Sequence, residues 1–150
     1  MKVLEGIEGV RAMDGQELGV GSWRLIDQER VNQFADVTDD HQWIHVDVER
    51  ARSGPFQTTI AHGFLTLSLV PSMSTEVVQV EGIRMAINYG LNRVRFPAPV
   101  PVGSRIRANV KNLSVEEVQG GLQVVNQVTV EVEGQTKPGC VAETVIRYYT

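Results

Sequence analysis

The chain has one cysteine, Cys140, so no intrachain disulfide can form, which fits a reducing compartment. Cys140 follows Pro138-Gly139 at the start of an apolar run and reads as a packed thiol, not a nucleophile. No apolar stretch approaches the roughly 20 residues that span a bilayer, so no membrane insertion is expected. The opening segment, Met1 to Gly9, interrupts its apolar residues with acids and glycines and does not read as a signal peptide. The expected location is the cytoplasm. An excess of basic residues is also missing. Fourteen Lys and Arg stand against 18 Asp and Glu, for a net charge of -4, which argues against a nucleic-acid surface. With no repeat, low-complexity tract or linker, residues 1–150 read as one domain, large enough to bury a core.

The first 20 residues carry four glycines and little periodicity. Gly21 to Ile26 has the composition of a short strand. Asp27 has the character of an N-cap, followed by Val31, Phe34 and Ala35 at helical spacing, which predicts a helix from about 28 to 37. Asp39 to His45 reads as a loop. Asp47 is placed to cap a single turn through Arg52, and Ser53-Gly54-Pro55 ends it. From Ala61 to about Thr75 apolar residues surround most of the helix circumference, as in a buried helix, with Pro71 expected to kink it or begin a new turn. The remainder is strand-like: Met85 to Phe96, Arg105 to Val118, Leu122 to Glu133 and Cys140 to Tyr149. The order predicts an α+β domain in which one curved antiparallel sheet wraps around one central helix. Such a sheet leaves an edge, which a second subunit can pair.

The chemistry-bearing residues concentrate in two neighbouring stretches. Asp40 and His45 lie five apart in the loop and can converge on one water, where a carboxylate and an imidazole can exchange protons near neutral pH. His62-Gly63 opens the buried helix. There the Gly63 amide would be an unpaired donor at the positive end of the helix dipole, beside which a carbonyl oxygen could gain negative charge. Each residue also has a plainer reading. Asp39 and Asp40 suit a helix terminus and turn. His62 suits a cap or a packing role, and Gly63 suits tight packing. Ser68 can bond a backbone carbonyl, and Trp43 can anchor the loop. Arg93, Arg95, Arg105 and Arg107 either alternate along the solvent face of strands or meet an anionic ligand. Asp40, His41, His45 and Asp47 lack the compact His spacing or cysteine support of a metal centre, so no metal is expected.

These stretches resemble a known family. Phe34-Ala35-Asp36-Val37-Thr38-Asp39-Asp40-His41-Gln42-Trp43-Ile44-His45-Val46-Asp47, then Ala51, Phe56 and Ile60-Ala61-His62-Gly63-Phe64-Leu65, are similar to the MaoC-like dehydratases, or hydratase 2 enzymes. So is Asn88 to Val100, and the likeness covers nearly the whole chain. The family motif runs aspartate, any residue, asparagine, proline, an aliphatic residue, histidine. Asp40, Ile44 and His45 match it, while Gln42 and Trp43 stand where asparagine and proline are usual.

The resemblance implies a single hotdog fold and an (R)-specific enoyl-CoA hydratase. It implies reversible syn addition of water to a trans-2-enoyl thioester. Asp40 and His45 would activate the water, and the Gly63 N–H would be the oxyanion donor. Gln42, Trp43, His62, Ser68, Arg93 and Arg95 complete the expected substrate contacts, the two arginines toward the phosphates of coenzyme A. No cofactor is expected, because the thioester itself acidifies C2. The expected partners are an acyl-CoA substrate and a second copy of the chain. Two rivals stand beside this reading: a hotdog acyl-CoA thioesterase, and a non-catalytic acyl-thioester-binding module.

Overall fold

The structure, a computed structural model, describes residues 1–150. Three long strands carry the sheet. They are β6 (Arg105–Val118), β7 (Gly121–Val132) and β8 (Cys140–Tyr149), paired antiparallel in sequence order. Along β7 every second residue is buried, including Leu122, Val124, Val128, Val130 and Val132, so one face is apolar except at Asn126. β6 loses this regularity at a bulge between Asn112 and Ser114. Asn112 is fully buried there. Its amide nitrogen donates to Val125 O, Ser114 O and Asn126 Oδ1, and its Oδ1 accepts from the Gly15 N–H. The bulge is thus stitched to the N-terminal segment, and the buried polar group is satisfied.

The sheet is extended at both margins. β2 (Glu17–Val20) and β3 (Arg24–Leu25) pair with successive parts of β6, and β5 (Met85–Arg95) pairs with β8 at the opposite edge. On the apolar face lies α5 (Gly63–Thr75), which buries Leu65, Thr66, Val70 and Met73. Pro71 sits inside this helix, which continues past it as one element. The helix is not enclosed all round, since Phe64 is 70% exposed and Ser68 faces solvent. This arrangement is the expected α+β hotdog architecture.

The remaining helices are α2 (Gln28–Thr38), α3 (Trp43–Val46) and α4 (Val48–Arg52). Asp27 caps α2, accepting from the Arg30 N–H at 2.9 Å, and Asp47 caps α4, accepting from the Arg50 N–H at 3.1 Å. Each cap contributes about 1 kcal/mol. Arg105 and Arg107 lie across from Glu133 and Glu131 and are ion-paired with them, which settles these two as solvent-face residues. Cys140 is buried, and burial pushes its thiol up to about 11, so it stays protonated at neutral pH. No helix is long and apolar enough to cross a membrane.

Several expectations change. The N-terminal 20 residues contain β1 (Lys2–Glu5), α1 (Gly6–Arg11) and β2, and β1 pairs in parallel with β4 (Val78–Glu81). The short glycine-interrupted pieces carry too few residues for periodicity to register; Val10, Met13 and Leu18 become core only through tertiary packing. The strand expected at Gly21 to Ile26 shrinks to two residues: the Gly21 N–H bonds to Ala108 O, but only Arg24 and Leu25 pair in ladder register with β6. The expected loop before His45 ends in a helical turn, α3.

Candidate active site

His45 is brought to the head of α5 by reciprocal hydrogen bonds. The Ile60 N–H donates to Ile44 O at 3.0 Å, and Ile60 O accepts from His45 Nδ1 at 2.7 Å. A carbonyl only accepts, so Nδ1 carries the proton and Nε2 of the neutral ring holds the lone pair. Gln28, at the start of α2, supports both sides of this junction. Its amide nitrogen donates to His45 O, and its Oε1 accepts from the Thr59 hydroxyl.

Asp40 follows the left-handed residue Asp39 that ends α2. Its N–H donates to Ala35 O, and its Oδ1 lies 3.4 Å from the Gln42 N–H. The carboxylate is exposed, whereas His45 is only 7% exposed. One ligand atom each of Asp40, His45 and His62 lies within 4.8 Å of the other two. The two histidine rings stack at 3.8 Å with a 24° interplanar angle. In-plane lone pairs on nearly parallel rings run side by side and do not converge on a point about 2 Å from both, so the trio is a poor cation cage.

A cavity of about 310 Å³ opens beside His45, lined also by Ile60, Gly63, Thr66, Phe96 and Pro99. Its volume is at the lower end of the range for small-molecule sites. Gly63 is the first residue of α5, and its N–H has no protein acceptor. A Cβ on Gly63 would stand 3.1 Å from the Phe96 ring, so the glycine also permits close packing. A second hollow of about 190 Å³ follows α5 toward the sheet edge, between Leu67, Val70 and Pro71 and the residues Asn88, Leu91 and Thr144.

The residues read from the sequence thus divide. Asp40, His45, His62 and Gly63 come together. His41 pairs with Asp36 on the surface, and Asp47 serves only as a cap. Ser68 donates to Phe64 O and does not line the cavity. Trp43 packs against Gly54, where a Cβ would lie 3.0 Å from the indole, and the Arg50 guanidinium sits 4.3 Å above the ring. It anchors the loop and, like Gln42, stays outside the cavity lining.

The loop accommodates tryptophan for a local reason. Trp43 is the first residue of α3, where proline is favoured because the amide has no intrahelical partner. Gln42 keeps the extended conformation, φ -56° and ψ 137°, that a residue before proline adopts. Arg93 and Arg95 border a separate hollow with Gln127, Val141 and Glu143, and neither is in an ion pair. Sequence reading missed Gln28, Thr66 and Phe96. Phe96 left a trace as an aromatic residue entering the proline-rich segment 97–101, and Gln28 only as a first-turn residue of the expected helix.

Fold and site together define a hotdog hydro-lyase. The model of the MaoC like domain matches residues 11–135, and the chain belongs to that family of dehydratases. The chain is 54% identical over 149 residues to 3-hydroxyacyl-thioester dehydratase Z of Mycobacterium tuberculosis, covering 99% of each. Solved structures share the fold. They include the (R)-hydratase from A. caviae involved in PHA biosynthesis, with a TM-score of 0.73 at 23% identity over 89% of this chain and 94% of that one. Another is an R-hydratase from Pseudomonas aeruginosa, with a TM-score of 0.70 at 23% identity over 91% and 88%.

Burial is the main force lowering the His45 imidazole below its ordinary value of 6.5. The Ile60 carbonyl opposes it, His62 adds to it, and the Asp40 carboxylate opposes it. His45 is therefore expected to be neutral at pH 7, with its ring-proton NMR signals titrating at a midpoint below 6.5. A midpoint above 6.5 would contradict the assigned environment.

Proposed function

We propose that the protein catalyses reversible hydration of trans-2-enoyl-CoA to (R)-3-hydroxyacyl-CoA. One observation carries the reading: a buried imidazole, tethered at Nδ1 and free at Nε2, shares a cavity with an unpartnered helix-start amide and stands beside a carboxylate. The relatedness to a 3-hydroxyacyl-thioester dehydratase supports the substrate class.

The thioester oxygen sits at the Gly63 N–H, where the α5 dipole favours negative charge. A water is held between the Asp40 carboxylate and His45 Nε2. Its oxygen bonds to C3 as Nε2 takes a proton, and the C2–C3 π pair moves toward C1 as an enolate. The imidazolium then returns that proton to C2. Oxygen and hydrogen arrive on one face, which gives syn addition, and the reverse sequence is dehydration. Conjugation with the thioester makes C3 electrophilic and C2 acidic, so this route uses neither a metal nor a redox cofactor. The hollow along α5 suits an acyl chain, and Arg93 and Arg95, neither of them ion-paired, would meet coenzyme A phosphates.

A homodimer belongs to the same reading. β5 is an 11-residue edge strand with exposed Met85, Ile87, Tyr89 and Leu91. Such an edge invites pairing, and a second copy would cover it. Light scattering at micromolar concentration is expected to give an even oligomer, and a monomeric mass would count against shared edges.

Asp40→Asn and His45→Ala are each expected to lower enoyl-CoA hydration about 100-fold or more while the fold persists. Near wild-type turnover in either folded variant would remove the assigned roles. In the same assay, release of free thiol by the wild type would indicate a thioesterase, and binding without turnover a silent module.

A further inference from the structure

The hydration chemistry just described leaves one buried titratable side chain unused. His62 is 2% exposed and stands at the N-cap of α5. It does not cap the helix, because its side chain accepts nothing from the first-turn amides. Its Nδ1 is buried without a partner. Its Nε2 lies 3.0 Å from the carbonyl oxygen of Asp40, which can only accept, so Nε2–H is the donor. One face of the ring stacks on His45, and Phe34 packs against it at 4.9 Å and 57°. A single side chain therefore touches both members of the Asp40–His45 pair.

We propose that His62 is a positioning residue for the hydration, holding the Asp40 backbone with Nε2–H and setting the plane of His45 with its ring face. The inference rests on the hydratase reading of the same site. Asp40 sits on an exposed segment that follows a left-handed helix end, where its N–H bonds to Ala35 O and its Oδ1 makes a long contact with the Gln42 N–H, and neither bond ties it to α5. His45 is tethered at one nitrogen only, which leaves rotation about that bond unless a neighbour blocks it. His62 ties Asp40 to the start of α5 and blocks that rotation of His45. A displacement of about 1 Å in such a pair costs on the order of 100-fold in rate.

The restraint differs from simple packing in what can replace it. A phenylalanine would fill the space and stack but could not donate to Asp40 O. A glutamine could donate but could not stack. The titratable groups that face His45 are His62, from the head of α5, and Asp40, from the segment after α2. Repulsion from His62 helps to lower His45, so its removal lets His45 rise. A neutral base is then lost at a higher pH, and the acid limb of the rate profile moves upward.

The test measures hydration of trans-2-enoyl-CoA by the wild type, His62→Phe and His62→Gln, with circular dichroism to confirm folding. Wild-type turnover comes first, and its absence would count against the hydratase reading itself. Given turnover, both variants are expected to lose about 10- to 100-fold in kcat with KM within about threefold. His62→Phe is also expected to shift the acid limb of its pH profile upward. A folded His62→Phe with near wild-type kcat and an unmoved acid limb would overturn the proposal and leave His62 as packing. If neither variant folds, long-range nitrogen–proton NMR on the wild type decides. A proton on Nε2 of His62 at pH 7 supports the restraint, and a proton on Nδ1 alone overturns it.

Discussion

The site depends on the exchange between the α3 turn and Ile60. Two short hydrogen bonds join a segment after α2 to the stretch that launches α5, across about 15 residues of intervening chain. A bond of this kind contributes about 0.5–1.5 kcal/mol net, and leaving its buried partner unsatisfied costs about 1–3 kcal/mol. The junction therefore holds as a unit. It orients His45, fixes which nitrogen bears the lone pair, and places the ring in the cavity that Gly63 also lines. Gln28 and Thr59 brace it from α2, and the Ala61 N–H ties the same stretch to Val100 O beside the sheet.

Much of the frame was legible because its signals are local. β6 and β8 begin and end where the apolar runs do, and Asp27 and Asp47 cap the helices they were expected to cap. Asp40, His45 and Gly63 could be chosen because a motif with acid–base groups stood near a helix-opening glycine. What escaped reading is what tertiary contact creates. The parallel pairing of β1 with β4 joins segments more than 70 residues apart and has no local cue. Gln28 was visible only as a first-turn residue of α2, since its partners His45 and Thr59 come from elsewhere. His62 was read as a cap or packing residue, and its contact with two acid–base groups becomes visible only once α5 meets the turn before it.

The departure from the family motif at Gln42-Trp43 has a structural resolution. Proline fixes a backbone dihedral by covalent geometry, whereas this chain packs Trp43 between Gly54 and Arg50. The constraint on this turn thus comes from a side chain instead of the backbone. Because the indole does not line the cavity, tryptophan at this position acts on loop rigidity before it acts on acyl-chain fit.

The central claim is that one water, handled by Asp40 and His45, supplies both new groups on the same face of the alkene. Hydration of a trans-2-enoyl-CoA in deuterium oxide tests this most directly. The account predicts an (R)-3-hydroxyacyl-CoA carrying one deuterium at C2, on the face that received oxygen. An (S) product, deuterium on the opposite face, or free coenzyme A in place of a hydrated thioester would contradict it.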